Sequence, residues 1–212
     1  MLQNSLTDTI KESLEKSLSY TEYNNLVERL VEEHKTSGPK QHEDLVYFTK
    51  LNAHRVKRLN KTIELTPDIE QLAKAVDSPQ TWLVLSESWC GDAAQTLPLI
   101  HKVAEANALI TLRIVFRDEH LPLMDEFLTN GGRSIPKLLI LNSELEVQGT
   151  WGPRPEQAQA LYNSWKNDPN KPPYREFQVE MQKWYLADKG VSTFQEISAV
   201  LKAIKRVQTV SS

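Results

Sequence analysis

The chain has 212 residues, of which 40% are hydrophobic and 25% charged, so it has enough apolar material for one domain with a sizeable core. Its net charge of -3 gives no reason to expect nucleic acid or an anionic membrane as a partner. No apolar run approaches the ~20 residues that a membrane-spanning helix needs. The single cysteine excludes an internal disulfide framework and, with no secretory signal visible at the start, predicts a cytoplasmic protein.

The first 60 residues predict helices. One helical face consists of apolar residues spaced three or four positions apart, namely Tyr23, Leu26, Val27, Leu30 and Val31. After a break at Ser37-Gly38-Pro39, a second helical face is formed by Leu45, Phe48, Asn52, Val56 and Leu59. The opposite side of this second helix is basic, through Lys50, His54, Arg55, Lys57 and Arg58. We interpret the basic side as a solvated face, with an anion-binding site as the alternative.

From residue 62 the pattern changes to short strands alternating with helices. The segment 62–65 predicts an edge strand, 67–76 a helix that begins with a proline, and 82–85 a central strand buried on both faces. The later elements are a helix over 93–107, a strand over 110–116, a helix over 121–128, a hairpin of strands over 137–141 and 145–151, and helices over 155–166, 174–187 and 193–207. Strands joined through helices predict a parallel sheet, to which the hairpin adds antiparallel strands.

Cys90 lies between the predicted central strand and the start of the next helix. A thiol at that place faces unpaired N–H groups and the positive end of the helix dipole, which favours the nucleophilic thiolate. We therefore expect a modestly lowered thiol pKa, since the charge of Asp92 and burial under Trp89 oppose the dipole. The alternative is that Cys90 is a small buried hydrophobe.

The run Trp89-Cys90-Gly91-Asp92-Ala93 resembles the Trp-Cys-Gly-Pro-Cys active-site motif of the thioredoxin superfamily. Pro98 matches the proline that kinks the family's active-site helix. Ser134-Ile135-Pro136-Lys137 resembles the cis-proline segment that lies beside the family's active cysteine, and Arg133 matches a basic residue common just before it. These matches occur in the family's order and at nearly its spacing.

The resemblance implies an α/β thioredoxin-like fold with helical additions at both ends. The thioredoxin-like domain is expected over residues 62–166, after an N-terminal helical extension over 1–61 and before C-terminal helices over 167–212 that pack on the core. The whole chain resembles most a bacterial branch of thioredoxin-like proteins that carry such additions.

The resemblance also assigns roles to site residues. Cys90 is the expected nucleophile, and the flanking residues of its motif form the site. A cis bond between Ile135 and Pro136 would present a backbone edge with which an extended substrate peptide could pair. The alternative is that Pro136 only begins a strand. Arg133 and Lys137 are candidates for electrostatic support of the thiolate.

Three departures from the family motif bear on the chemistry. Ala93 stands where the resolving cysteine belongs, so a mixed disulfide at Cys90 would have to be resolved by an external thiol. Asp92 replaces a proline, and Val84 occupies the place of the family's buried acid. Glu87 is a possible substitute acid, although we interpret a glutamate at a strand end as solvated.

The leading functional hypothesis is a monothiol thiol–disulfide exchange protein whose partners are protein or low-molecular-weight thiols and disulfides. The alternatives are a redox-inactive binding or scaffold protein with the same fold, and a single-cysteine redox sensor. We expect no cofactor. The five histidines show no metal-ligand spacing, so we expect no metal either.

Overall fold

The computed structural model describes residues 5–210, with side chains as far as residue 207. The helices are α1 (Leu6–Glu15), α2 (Tyr20–Glu32), α3 (Glu43–Thr62), α4 (Pro67–Lys74), α5 (Gly91–Glu105), α6 (Leu121–Asp125), α7 (Glu156–Asn167), α8 (Tyr174–Asp188) and α9 (Val191–Val210). The strands are β1 (Gln80–Ser86), β2 (Ile110–Phe116), β3 (Lys137–Leu141) and β4 (Val147–Trp151).

The four strands form one mixed sheet in the order β2-β1-β3-β4. β1 and β2 are parallel and connected through α5, while β3 is antiparallel to both β1 and β4. Strand β1 is central and almost completely buried, as its unbroken apolar run predicts. Helices packed on both sides of this sheet agree with the predicted α/β class.

Alternate residues of the central strand contribute to different cores. Trp82 and Val84 belong to a large core that includes residues of α2, α4, α5 and α9. Leu83 and Leu85 face the other side, where a smaller core contains Ile10 of α1 and also Cys90. Because successive side chains of a strand point to opposite faces, the continuous apolar run of β1 serves both cores. The candidate nucleophile is therefore part of a hydrophobic core.

The predicted edge strand over 62–65 is wrong. Helix α3 continues to Thr62, and residues 63–66 form an irregular segment that leads to α4. Ile63 and Leu65 are half-buried against the large core. Their alternation therefore reflects one-sided burial of a loop, and burial of alternate residues can occur without a neighbouring strand to pair with.

The outer edge of β2 is occupied by the connection between α1 and α2. The amide of Leu18 donates to the carbonyl of Ile114 at 2.8 Å, and the amide of Ile114 donates back to Leu18 at 2.8 Å. The Arg113 guanidinium also donates to the carbonyl of Ser17 at 2.8 Å. The N-terminal helices are thus tied to the sheet by main-chain hydrogen bonds as well as by packing.

Within residues 5–210, none of the helices combines the length and the apolar character needed to cross a lipid bilayer.

Candidate functional site

Cys90 occupies the N-cap position of α5, with extended backbone angles (φ -76°, ψ 116°) that end the loop after β1. Its Sγ accepts a hydrogen bond from the amide of Ala93 at 3.4 Å, which satisfies one of the free N–H groups of the helix start. The thiol donates to the carbonyl of Ile135 at 3.4 Å. Ala93 and Ile135 therefore both contact the sulfur of Cys90.

The environment of Cys90 disfavours its thiolate. Burial raises the pKa of the Cys90 thiol to about 12, and the negative charge of Asp92 is the second cause. The Ala93 amide and the Arg154 guanidinium lower the pKa but do not outweigh these effects. The expectation of a lowered pKa is wrong, because a helix dipole contributes only ~0.3–2 kcal/mol, whereas a dry interior strongly disfavours an unpaired anion. At neutral pH the resting thiol is protonated.

The carboxylate of Asp92 is held by two residues distant in sequence. Arg154 donates to its Oδ2 from Nε at 3.0 Å and from Nη2 at 2.6 Å. Tyr185 of α8 donates its hydroxyl to Oδ1 at 2.8 Å. Both members of the ion pair are largely buried, with side-chain exposures of 11% and 12%. The charge next to the thiol is thus fixed in place and compensated by one arginine.

Arg154 is the cation that sequence reasoning missed. Arg154 lies between Pro153 and Pro155. Because prolines fix backbone angles and can thereby direct a neighbouring side chain, this position was the sequence signal that could have identified Arg154. The two cations predicted for this role are engaged elsewhere. Arg133 is paired with Asp125 at 2.6 Å at the surface. The buried Lys137 donates from Nζ to the carbonyl of Gly152 at 3.3 Å, and burial lowers its pKa.

Trp89 and Gly91, which flank Cys90 in the chain, pack against different parts of the structure. The ring of Trp89 packs on the smaller core, and the guanidinium of Arg117 lies 5.1 Å from its centre. Gly91 faces α8, since a Cβ placed there would lie 3.2 Å from Nε2 of Gln182. The helix α8 therefore packs directly on the start of α5, which no local pattern in the motif indicates.

The Ile135–Pro136 peptide bond is cis, as is the bond between Gly152 and Pro153. Ile135 is only 5% exposed, and its carbonyl accepts the Cys90 thiol. Gly152 lies against this segment, because a Cβ at that position would come within 2.2 Å of the Pro136 carbonyl oxygen. The Ile135 backbone is therefore next to the thiol but is covered in this structure.

Glu87 is completely buried, so its interpretation as a solvated residue is wrong. Its carboxyl accepts a short hydrogen bond from the hydroxyl of Ser37 and another from the amide of Asp118 at 2.9 Å. Burial raises the pKa of Glu87, although both hydrogen bonds oppose that effect. Ser88 continues the network, since its own amide donates to the Ser37 hydroxyl at 2.8 Å. The loop that carries Cys90 is thus bonded to the turn after α2.

Cys90 lies in the wall between two cavities. The larger has a volume of about 420 Å³ and is bounded by Trp89, Ile135, Arg154 and residues of α3 and α8. The smaller, of about 190 Å³, lies between α2, α3 and α5 and includes Glu87 in its wall. A small molecule in either cavity would be next to the sulfur. Over the part of the chain that the structure describes, no group of three or more histidine, cysteine or acidic residues could hold a metal ion.

The geometry at position 93 predicts that Ala93→Cys forms a disulfide with Cys90. The two positions are one helical turn apart on the same side of α5, a separation that suits disulfide geometry. Thiol counting after mild oxidation is expected to find no free thiol, whereas the same change in a Cys90→Ser background leaves one. Two free thiols in a folded single variant would contradict the observed loop geometry.

Comparisons with known proteins agree with this architecture. The family model described as Thioredoxin matches residues 38–166. No curated protein matches the chain. Two solved structures are similar in fold. PA1234, a protein of unknown function from Pseudomonas aeruginosa, has a TM-score of 0.54 at 16% identity, over 87% of this chain and 98% of its own. An HIV epitope-scaffold for 4E10 has a TM-score of 0.53 at 16% identity, with the same coverage.

Proposed function

Because the chain belongs to the thioredoxin family, we propose that it is a monothiol thiol–disulfide exchange protein whose nucleophile is Cys90. The observation that carries this proposal is the position of the sulfur. It lies at the N-terminus of α5, receives the Ala93 amide, and forms part of the wall of a 420 Å³ cavity. A disulfide that entered the cavity would therefore meet the sulfur at the helix end that stabilises an anion.

The reaction has two exchange steps. Cys90 first loses its proton to solvent, and the thiolate attacks one sulfur of a disulfide R–S–S–R, forming a Cys90–S–S–R bond and releasing RS⁻. A second thiol R′SH, as its thiolate, then attacks the R sulfur, which yields R–S–S–R′ and restores the Cys90 thiolate. The sum is R–S–S–R plus R′SH giving R–S–S–R′ plus RSH. The second thiol must be external, because Cys90 is the only cysteine of the chain.

Three groups of the site support this chemistry. The Ala93 amide and the Arg154 guanidinium both favour the Cys90 thiolate, and Trp89 packs on the small core that contains Cys90. Asp92 and burial act against the thiolate, so exchange at neutral pH is slow in the resting state. A lone free cysteine of this kind suits a reducing compartment such as the cytoplasm.

The pH dependence of Cys90 alkylation tests the proposal. With a thiol pKa of about 12, the rate should rise about 10-fold per pH unit from pH 7 to pH 10, without a plateau. The same preparations, incubated with an oxidised small thiol, should gain the mass of one mixed disulfide that an external thiol removes. Cys90→Ser is the matched control and should gain nothing. A wild-type thiol that stays unmodified throughout this range in the folded protein would rule out exchange.

A second candidate function is ligand binding without redox turnover. The observation that favours it is the burial of the thiol, which is 7% exposed and whose pKa that burial raises. In that case Cys90 contributes only packing, and Cys90→Ala would fold and bind the same molecules as the wild type. The incubation with an oxidised small thiol separates the two functions, because a purely structural thiol forms no reversible mixed disulfide.

A further inference from the structure

We propose, resting on the exchange function above, that the disulfide substrate is a low-molecular-weight compound and that polypeptide disulfides are excluded. The resemblance to thioredoxins led us to expect an extended peptide at the Ile135–Pro136 edge. In the structure α8 and the start of α3 bound the cavity next to the thiol, and that cavity has the dimensions of a small-molecule site.

Helix α8 forms one wall of the cavity next to Cys90. Phe177 and Met181, one turn apart on α8, are 2% and 5% exposed and line the cavity next to Cys90. The same helix is fastened to α5 through polar contacts. Gln182 accepts a hydrogen bond from Gln95 at 2.6 Å, and Tyr185 bonds Asp92. Packing and hydrogen bonds together hold α8 where the body of a bound polypeptide would have to lie.

The backbone of Ile135 is not available as an open edge. Strand addition requires an open edge with free main-chain groups. The Ile135 carbonyl already accepts the Cys90 thiol, and the residue is 5% exposed. An extended peptide would have to displace this contact and α8 together. A small disulfide needs neither change, because it can approach the sulfur from within the cavity.

The cavity next to Cys90 has the size and the lining of a small-molecule site. Its volume of about 420 Å³ lies within the range of ~300–1,000 Å³ that is usual for small-molecule sites. Its walls are rich in aromatic rings, including Phe48, Trp89, Tyr162 and Tyr174. The side-chain oxygen of Gln178 in the same wall is buried and has no hydrogen-bond partner among the residues described. A ligand that donates one hydrogen bond would satisfy it.

The charges of the cavity argue against a strongly anionic substrate. Its three arginines are each paired with a carboxylate. The pairs are Arg117 with Asp118, Arg133 with Asp125, and Arg154 with Asp92. A strongly anionic ligand would therefore lose hydration without gaining an unpaired arginine. Size and apolar surface remain as the properties by which this cavity can select.

The test compares two disulfides with the full-length protein. Bis(2-hydroxyethyl) disulfide is the small probe, and insulin is the polypeptide probe. Each rate is divided by the rate of the same probe with free 2-mercaptoethanol at equal thiolate concentration, which corrects for intrinsic reactivity. Because exchange depends on access to the sulfur, we expect the wild type to favour the small probe by about 100-fold. In parallel, iodoacetamide should label Cys90 while a maleimide carrying a long polyethylene glycol chain should not.

A pair of variants tests whether α8 causes the exclusion. Phe177→Ala/Met181→Ala shortens two side chains that line the cavity next to the thiol, and it is expected to raise the corrected insulin rate about 10-fold, because access limits that rate. Val179→Ala/Leu186→Ala changes two exposed residues of the same helix, 54% and 58% exposed, and should leave both rates unchanged. The labelling arm uses only the wild type and so does not depend on the folding of any variant.

The outcomes separate the two proposals. Equal corrected rates for both probes, with labelling by the large maleimide, would overturn the size restriction and leave thiol exchange standing. No reaction with either probe would overturn the exchange function, and the substrate assignment with it. A large preference for the small probe that Phe177→Ala/Met181→Ala reduces would support both.

Discussion

Asp92→Asn is expected to increase the alkylation rate of Cys90 at pH 7.5 by about 10-fold or more, equivalent to a fall of about one unit in the thiol pKa. The carboxylate of Asp92 is the main charge that raises this pKa after burial itself. Its removal also leaves the Arg154 guanidinium without its carboxylate partner beside the sulfur. Both changes stabilise the thiolate relative to the thiol.

The reverse change gives the second half of this test. Arg154→Gln removes the cation and leaves the Asp92 charge uncompensated, so alkylation at the same pH should become slower than in the wild type. Asp125→Asn is the matched control, because it breaks the exposed pair with Arg133 and should leave Cys90 reactivity unchanged. The measurement is the rate of iodoacetamide labelling in folded samples. If both changes at the Asp92–Arg154 pair shifted the rate in the same direction, local loosening and not charge would be responsible.

Glu87→Ala should lower the free energy of unfolding by about 3 kcal/mol, because it leaves the Ser37 hydroxyl and the Asp118 amide buried without their acceptor. It should also increase the labelling of Cys90, since the loop between β1 and α5 loses its anchor to the turn after α2. Urea unfolding followed by fluorescence gives the first quantity, and iodoacetamide labelling gives the second. A loss of stability below 1 kcal/mol would show that the network contributes little.

Glu87→Gln separates the charge of this residue from its hydrogen bonds. Burial raises the folded-state pKa of Glu87 above its unfolded value, so the folded protein binds more protons than the unfolded chain between those two values. The contribution of this carboxyl to stability is therefore present below the unfolded pKa and is lost as the pH rises through the folded pKa. As the pH rises from 4 to 8, the free energy of unfolding of the wild type should therefore fall relative to that of Glu87→Gln. The exposed Glu126→Gln is the control, and a pH-independent difference for Glu87→Gln would contradict the raised pKa.

The parts of the site that the sequence predicted are those with a local pattern. The buried run of β1 followed by Trp89-Cys90-Gly91 indicated a strand and a helix start with a thiol between them. The segment at Ile135-Pro136 indicated the neighbour of that thiol. These predictions depend on a few adjacent residues and on the order of the elements, and the contacts of Cys90 with Ala93 and Ile135 agree with them.

The parts that the sequence did not reveal depend on long-range pairing. Asp92 is bonded to Arg154, 62 residues away, and to Tyr185, 93 residues away. No periodicity connects such residues, so neither the compensated charge nor the cover by α8 could be predicted. The thiol pKa was predicted in the wrong direction for the same reason, since burial of Cys90 results from elements outside its motif. The wrong prediction of a strand at 62–65 has a different cause. There an alternating pattern was present, but it arose from a half-buried loop.

The hydrogen-bonded contact between Leu18 and Ile114 also bears on how copies of the protein behave toward one another. An outer strand with free amides and carbonyls can pair with the same strand of a second molecule, which is a common start of fibril formation. Here the two main-chain groups of Ile114 are taken by Leu18, and Arg113 reaches over to Ser17. The connection between α1 and α2 thereby blocks strand pairing with a second molecule at the middle of β2.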